Sequence, residues 1–128
     1  MDALMSFSEM QERYNKREDP FDLTLEKWVR IRRFLEKPLT RHDFGLLLQA
    51  SNIAVPFCFE YQPRNCVGCP LEAMCGRGGG EKLLRVIRLI QAYVLAGDML
   101  PTEPLIFEVD RVVMELEVLK AQHKGQLH

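Results

Sequence analysis

The four cysteines of this 128-residue chain all lie within one 18-residue window, and this clustering constrains the fold more than any other feature. They are Cys58, Cys66, Cys69 and Cys75, spaced C-x7-C-x2-C-x5-C. Two cysteines separated by two residues form a turn in which both thiolates converge on one ion or cluster, and the flanking cysteines complete a four-thiolate set. The sequence therefore predicts a metal-binding loop over residues 57–80.

Two other interpretations of the cysteines stay open. The first is disulfide formation or a redox-active pair at Cys66 and Cys69, although no βαβ pattern surrounds this dithiol. The second is four unrelated buried cysteines, which the clustering disfavours. Because the N-terminus lacks the basic-then-apolar pattern of a signal peptide, we expect a cytoplasmic protein. Cysteines there stay reduced unless they bind metal or act catalytically.

The remainder of the chain shows helical periodicity and no sustained strand alternation. We predict one all-α domain over residues 1–128, a small helical domain of four to five helices. The polar segment 1–20 is expected to form a loosely packed N-terminal arm. A helix is predicted to begin after Thr24, with an apolar face made by Leu25, Trp28, Ile31 and Leu35. A capping box at Thr40 and Asp43 predicts the start of the next helix.

The two C-terminal helices are predicted over Glu81 to Ala96 and from near Thr102 to near Gly125, with Gly97 as the stop between them. The first apolar stripe consists of Leu83, Leu84, Ile87, Ile90, Val94 and Leu95. The second consists of Leu105, Val109, Val112, Leu116 and Leu119. Two amphipathic helices joined by a short turn should form an antiparallel helical hairpin. This hairpin is also a candidate homodimer contact.

The stretch from Cys66 to Cys75, CVGCPLEAMC, resembles the C-x2-C-P-x4-C piece of several iron–sulfur families. With Cys58 included, it resembles the cluster loop of endonuclease III-type DNA glycosylases, C-x6-C-x2-C-x5-C, with one extra residue in the first gap. Its second half is similar to WhiB-like and SPASM cluster sites. The resemblance implies that the four cysteines are cluster ligands. The glycosylase helix-hairpin-helix and the WhiB tryptophan–glycine motif are not recognisable here, so no activity carries over.

We expect a 4Fe–4S cluster, with zinc as the alternative. Four thiolates suit both, but zinc sites more often pair two short cysteine knuckles, and this chain has one. A cysteine–proline loop after a helix resembling the stretch from Thr24 to Trp28 also occurs in short phage and archaeal proteins. That resemblance is consistent with a zinc-stabilised structural protein of viral or archaeal type.

Net charge gives no reason to expect a nucleic-acid partner, since 17 Lys and Arg face 18 Asp and Glu. Local basic residues are nonetheless candidates for contact with nucleic acid or a protein. Arg30, Arg33 and Lys37 share one face of a predicted helix. Arg64 lies inside the cysteine loop and Arg77 follows it; the glycosylase resemblance implies that such residues face DNA.

No nucleophile with a plausible base and no paired carboxylates are recognisable, so we predict a protein without enzymatic activity. The longest weakly polar run, Leu89 to Gly97, is about half the length needed to span a bilayer, so no membrane partner is expected. The predicted function is a metal-binding regulatory or accessory protein whose loop contacts another protein or nucleic acid. An electron-transfer or cluster-bearing subunit of a larger enzyme is the alternative.

Overall fold

The computed structural model describes residues 4–52, Pro56 and 82–126; the side chains of Lys82, Asp98 and residues 123–126 are excepted. Over these residues the chain is all-helical and contains no strand, as the periodicity predicted. The helices are α1 (Phe7–Asn15), α2 (Pro20–Phe34), α3 (Arg41–Ser51), α4 (Lys82–Ala96) and α5 (Glu103–Gln126). A short 3-10 turn, Gly97–Met99, follows α4.

Helices α2 to α5 form a ring in which each helix packs against two others. The most extensive contacts join α3 to α4 and α2 to α5, and contacts between α2 and α3 and between α4 and α5 close the ring. Two ion pairs give the relative direction of α2 and α5. Asp22 pairs with Lys120 and Arg32 pairs with Asp110, so the residue order on α5 is reversed. These two helices are therefore antiparallel.

The other directions follow in the same way. Phe44, near the start of α3, contacts Tyr93, near the end of α4, with ring centroids 5.2 Å apart. Lys27, midway along α2, contacts Ser51 at the end of α3. Because the chain passes from the end of α2 to the start of α3, this contact means that α3 runs back alongside α2. The four helices thus alternate in direction along the chain. It follows that α4 and α5 are antiparallel, which confirms the predicted hairpin.

The buried residues inside the ring follow the predicted stripes on α2 and α5 closely. Trp28, Ile31 and Leu35 are buried on α2. The buried residues of α5 are Leu105, Val109, Val112 and Leu116. On α4 the prediction was partly wrong: the buried residues are Val86, Ile90 and Tyr93. Leu95, which was placed in the stripe, is 81% exposed.

Helix α2 begins at Pro20, five residues before the predicted start after Thr24. The carboxylate of Asp19 accepts the backbone N–H of Phe21 at 2.9 Å, so Asp19 is the N-cap and Pro20 occupies the first turn. Proline suits that position because its missing N–H would have no partner within the helix. Thr24 lies inside the helix, and its hydroxyl donates to the Pro20 carbonyl.

The segment predicted as a loosely packed arm, residues 1–20, contributes to the core in its described part. Met5 and Met10 are 2% and 0% exposed, and α1 packs against α2. The sequence of this segment gives little indication that it packs against the core, because it is mostly polar and few apolar side chains form its buried face. The described part of the arm is therefore better packed than its sequence indicated.

The predicted capping box of α3 is confirmed. Asp43 Oδ2 accepts the Thr40 backbone N–H at 2.9 Å, and the Thr40 hydroxyl accepts the Asp43 N–H at 3.2 Å. The first of these bonds is the main reason that the pKa of Asp43 lies below its ordinary value. Gly97 stops α4 with a φ of +64°, in the left-handed region where glycine is favoured.

Candidate functional site

The predicted metal ligands and the basic residues near them lie outside the described residues: Cys58, Cys66, Cys69, Cys75, Arg64 and Arg77. The structure does define the two helices between which this segment runs. It begins after the end of α3 and joins the start of α4. Because α3 and α4 are antiparallel neighbours, these two helix ends lie at the same end of the bundle.

The cysteines lie in a long stretch of sequence between these two helices. Thirty residues, 52–81, separate the end of α3 from the start of α4, and within this stretch the described residue Pro56 is helical and buried. Along the chain, the cysteine window therefore lies between two helix ends that are at the same end of the bundle.

A buried lysine holds the end of α3 from which this segment leaves. Lys27 on α2 is 4% exposed, and its ammonium donates to the Ser51 carbonyl at 3.0 Å. It also lies 5.1 Å from the centroid of the Trp28 ring. A cation is favourable at a helix C-terminus, where carbonyls lack helical partners. The Lys27 contact therefore ties the last turn of α3 to α2.

Sequence reasoning missed Lys27 as an anchor. The signal was a lysine between Thr24 and Trp28, on the side of α2 that carries the apolar residues. A lysine placed among residues of a buried face needs a partner for its charge. Which partner it has depends on α3, which is distant along the chain, so the pairing could not be read from α2 alone.

The basic face predicted from Arg30, Arg33 and Lys37 forms only in part, because α2 ends at Phe34 and Lys37 lies beyond its end. Arg30 is 18% exposed, and its guanidinium makes ion pairs with Glu9 at 2.8 Å and with Glu26. The hydrogen bond to Glu9 is the main cause of the raised pKa of Arg30. Arg33 and Lys37 are exposed, and the Lys37 ammonium lies 4.2 Å from the Phe34 ring centroid. Arg30 therefore adds little charge to a surface for phosphates.

Arg13 is the centre of an ion-pair cluster between α1 and α2 that the sequence analysis did not anticipate. Its guanidinium donates twice to Glu18, at 2.9 and 2.8 Å, and twice to Glu26, at 2.5 and 2.9 Å. The hydrogen bonds from Arg13 are the main cause of the lowered pKa of Glu18 and of Glu26. This arrangement is a structural clamp and presents no unsatisfied catalytic group.

Arg41 lies at the start of α3, at the end opposite to Ser51. Arg41 Nη2 donates to the Leu95 carbonyl at 3.3 Å, in the last turn of α4. A shallow cavity of about 330 Å³ is lined by Leu39, Thr40, Arg41 and Gly97. Among the described lining residues, only Arg41 is charged, and it already contacts a helix end. The described lining therefore provides no converging set of polar groups for a substrate.

Within the described helices, His, Cys, Asp and Glu side chains nowhere gather in a group of three or more that could hold a metal ion. The acidic residues of α5 are partly engaged in ion pairs; Asp110, for example, lies 2.7 Å from Arg32 Nε. The described part of the chain thus contains no ligand set that competes with the cysteines.

Compared with known proteins, the chain matches no family model, no curated protein and no solved structure. Of the helices in the described ranges, none combines the length and the apolar character needed to cross a membrane. A function must therefore be inferred from the cysteine cluster and the helices that flank it.

Proposed function

We propose that this chain is a non-enzymatic metal-binding protein in which Cys58, Cys66, Cys69 and Cys75 hold a 4Fe–4S cluster. In this proposal the bundle presents the cluster-bearing segment to another protein or to nucleic acid, in a regulatory or accessory role. One observation carries the proposal: all four cysteines of the chain fall in one window, inserted between two neighbouring helix ends. A cytoplasmic location, where the thiols stay reduced, is part of the same proposal.

The donor set fits a metal centre on chemical grounds. Four thiolates bind either zinc or an iron–sulfur cluster, and binding releases protons and is coupled to folding. Structural zinc in finger peptides contributes about 10–16 kcal/mol, comparable with the net stability of a whole domain, about 5–15 kcal/mol. A bound cluster would supply redox or oxygen sensitivity. Zinc, in a stabilised structural protein, is the alternative occupant.

The scaffold around the segment supports a role in presentation. The Lys27 contact fixes the last turn of α3, and α4 is packed between α3 and α5. A segment attached at two fixed and adjacent points has fewer conformations to lose when it binds a partner. We expect Arg64 and Arg77 to contribute to that contact.

Metal analysis after anaerobic purification tests the proposal. We expect a brown protein with broad visible absorption and about four irons per chain. Cys69→Ser should lose most of the metal and lower the melting temperature. Val67→Ala, which changes the same stretch but removes no thiol, is the matched control and should retain the metal. A colourless protein with about one zinc supports the zinc alternative. A metal-free protein that melts like Cys69→Ser contradicts both.

Binding to nucleic acid needs a separate test. If the segment contacts phosphates, affinity for DNA or RNA should fall with rising salt, and Arg64→Ala should weaken it at low salt. Arg85→Ala, which removes an exposed arginine of α4, is the control with the same charge change. No binding of either nucleic acid at low salt excludes this version and leaves a protein partner.

A further inference from the structure

Helix α5 has two apolar faces, of which only one is used in the bundle. The inner face consists of Leu105, Val109, Val112 and Leu116, all buried. On the outer face, Phe107, Met114 and Val118 are 61%, 65% and 51% exposed. At about 100° per residue, the outer stripe lies nearly opposite the inner one and faces away from α2 and α4. A helix that is apolar on both sides has more apolar surface than one core requires.

The outer stripe has the spacing of a coiled-coil seam. Phe107, Arg111, Met114 and Val118 follow one another at intervals of four, three and four residues, as the a and d positions of a heptad do. The Arg111 guanidinium carbon lies 5.9 Å from the centroid of the Phe107 ring. An arginine stacked in this way contributes a flat, partly apolar surface to the seam.

Acidic residues border the seam on both sides. The heptad positions next to it are Glu103, Asp110 and Glu117 on one side and Glu108 and Glu115 on the other. Glu103 and Glu117 are exposed. Asp110 pairs with Arg32 on α2, and Glu108 lies 3.7 Å from Arg111 within the seam. Five acids against Arg111 and Lys120 leave residues 103–122 with an excess of negative charge.

The charges that border the seam indicate which kind of helix can pack against it. Pairing α5 with α5 of a second copy would place acidic rows against acidic rows in either relative direction. Helix α4 of a second copy has the opposite charge and no acidic residue. Its exposed stripe, however, is Arg85, Arg88, Ala92 and Leu95, which puts the bases in the seam position and not along its borders. Neither helix of a second copy is complementary to this surface.

We propose that the outer face of α5 docks an amphipathic helix of a different protein, one with an apolar ridge bordered on both sides by Lys or Arg. From Phe107 to Val118 the seam is about 16 Å long, or between one and two heptads. The inference depends on α5 alone and holds whether or not the cysteines bind metal. It replaces the homodimer expected from the hairpin with a heteromeric contact.

Two synthetic peptides of three heptads test the complementarity. Both carry Leu at a and d; one has Lys and the other Glu at every e and g position. Fluorescence anisotropy should show that the full-length protein binds the Lys peptide, with an affinity that falls as salt rises. The Glu peptide should bind at least about tenfold more weakly. Equal affinity for the two peptides overturns the proposal.

Variants separate the seam from general charge attraction. Met114→Asp should weaken Lys-peptide binding about tenfold or more, whereas Met99→Asp, which alters an 84% exposed methionine outside the seam, should not. The double variant Glu103→Lys and Glu117→Lys should shift the preference towards the Glu peptide. Helical circular dichroism confirms that each variant is folded.

Two outcomes contradict the proposal at this level. If Met114→Asp binds the Lys peptide as well as the wild type does, the attraction is only electrostatic and no seam is used. If the wild type sediments as a dimer that Met114→Asp dissociates, a second copy occupies the face.

Discussion

Arg13 and Lys27 join helices that are distant in sequence, although side chains of their type are normally assigned to solvent. Arg13 contacts carboxylates from α1, from the turn after it and from α2. Lys27 reaches the end of α3 from a buried position. Both work because a charged group inside a protein is stable when its partners are complementary and its hydrogen bonds are made. At the residue scale, charge thus contributes to packing as directly as apolar contact does.

Arg13→Met should destabilise the protein at neutral pH, and the difference should shrink in acid. Arg13 lowers the pKa of Glu18 and Glu26 in the folded state. Their ionised carboxylates therefore stabilise the fold at pH values above their unfolded-state pKa, which is about 4.3. That contribution is lost as pH falls through the folded pKa. We expect a lower midpoint of urea unfolding than for the wild type at pH 7, a difference that diminishes between about pH 5 and 3.

Lys16→Met is the matched control, because the ion pair that Lys16 makes among the described residues is with Glu12, and both side chains are 67% exposed. At every pH, this variant should change the midpoint of urea unfolding much less than Arg13→Met does. A difference between Arg13→Met and wild type that stays constant from neutral to acid pH would show that Arg13 acts by packing and not by its charge.

The ends of the helices illustrate how element boundaries are encoded. Thr40 and Asp43 form the capping box that their spacing predicted. Asp19 and Pro20, a pair that can end one helix or begin the next, begin α2 here. An Asp-Pro pair is compatible with either role, since the residue before proline avoids helical geometry and proline itself fits the first helical turn. Local sequence therefore indicates where a helix boundary lies, but not always whether a helix begins or ends there.

Gly97→Ala should destabilise the protein by about 1 kcal/mol. The added Cβ would lie 3.5 Å from Arg41 Nε, an ordinary contact, so space is available. The cost arises from the φ of +64°, which residues with a side chain rarely adopt. Thermal unfolding measures the effect, and an unchanged melting temperature would mean that the end of α4 readily takes another conformation.

Gly45→Ala provides a control of opposite sign. Gly45 lies inside α3, and a Cβ built there meets nothing within 4 Å. Alanine is favoured over glycine in a helix interior by about 1 kcal/mol. This variant should therefore raise the melting temperature. The pair of variants separates the backbone conformation from the general loss of glycine flexibility.

At the scale of the whole molecule, four alternating helices enclose one core, and α1 packs on the outside of α2. Trp28, Phe44 and Tyr93 are the largest of its fully buried side chains. The outer face of α5 lies outside this core, and the cysteines lie outside the described residues. The stability of the described part comes from the bundle, and the outer face of α5 can be altered without opening its core.

Trp28→Ala should cost about 3–5 kcal/mol in the free energy of unfolding, because it opens a cavity in the centre of the bundle. Phe107→Ala removes a large aromatic side chain from a surface position and should change stability by less than about 0.5 kcal/mol. Chemical denaturation compares the two. A large loss in Phe107→Ala would mean that the outer face of α5 is already covered within the isolated protein.

Much of the fold was predictable, because its signals are local. The period of Trp28, Ile31 and Leu35 on α2, and that of the buried stripe on α5, depends only on residues within two or three turns. On α4, Leu95 was wrongly placed in the stripe and Tyr93 was left out of it, since the position of the α3 and α5 contacts determines which side of α4 is inside. The prediction that the four cysteines bind a metal rests on their spacing alone.

The amino-acid sequence by itself determined the helical class, the capping box of α3, the core faces of α2 and α5, and the gathering of all cysteines between two helices. Only the tertiary structure decided that Arg13, Lys27 and Arg30 bind other helices, that Met10 lies in the core and that Met114 stays on the surface. The reason is physical: caps and periodicity act over a few residues, whereas burial and ion pairing depend on residues that folding brings together from distant parts of the chain.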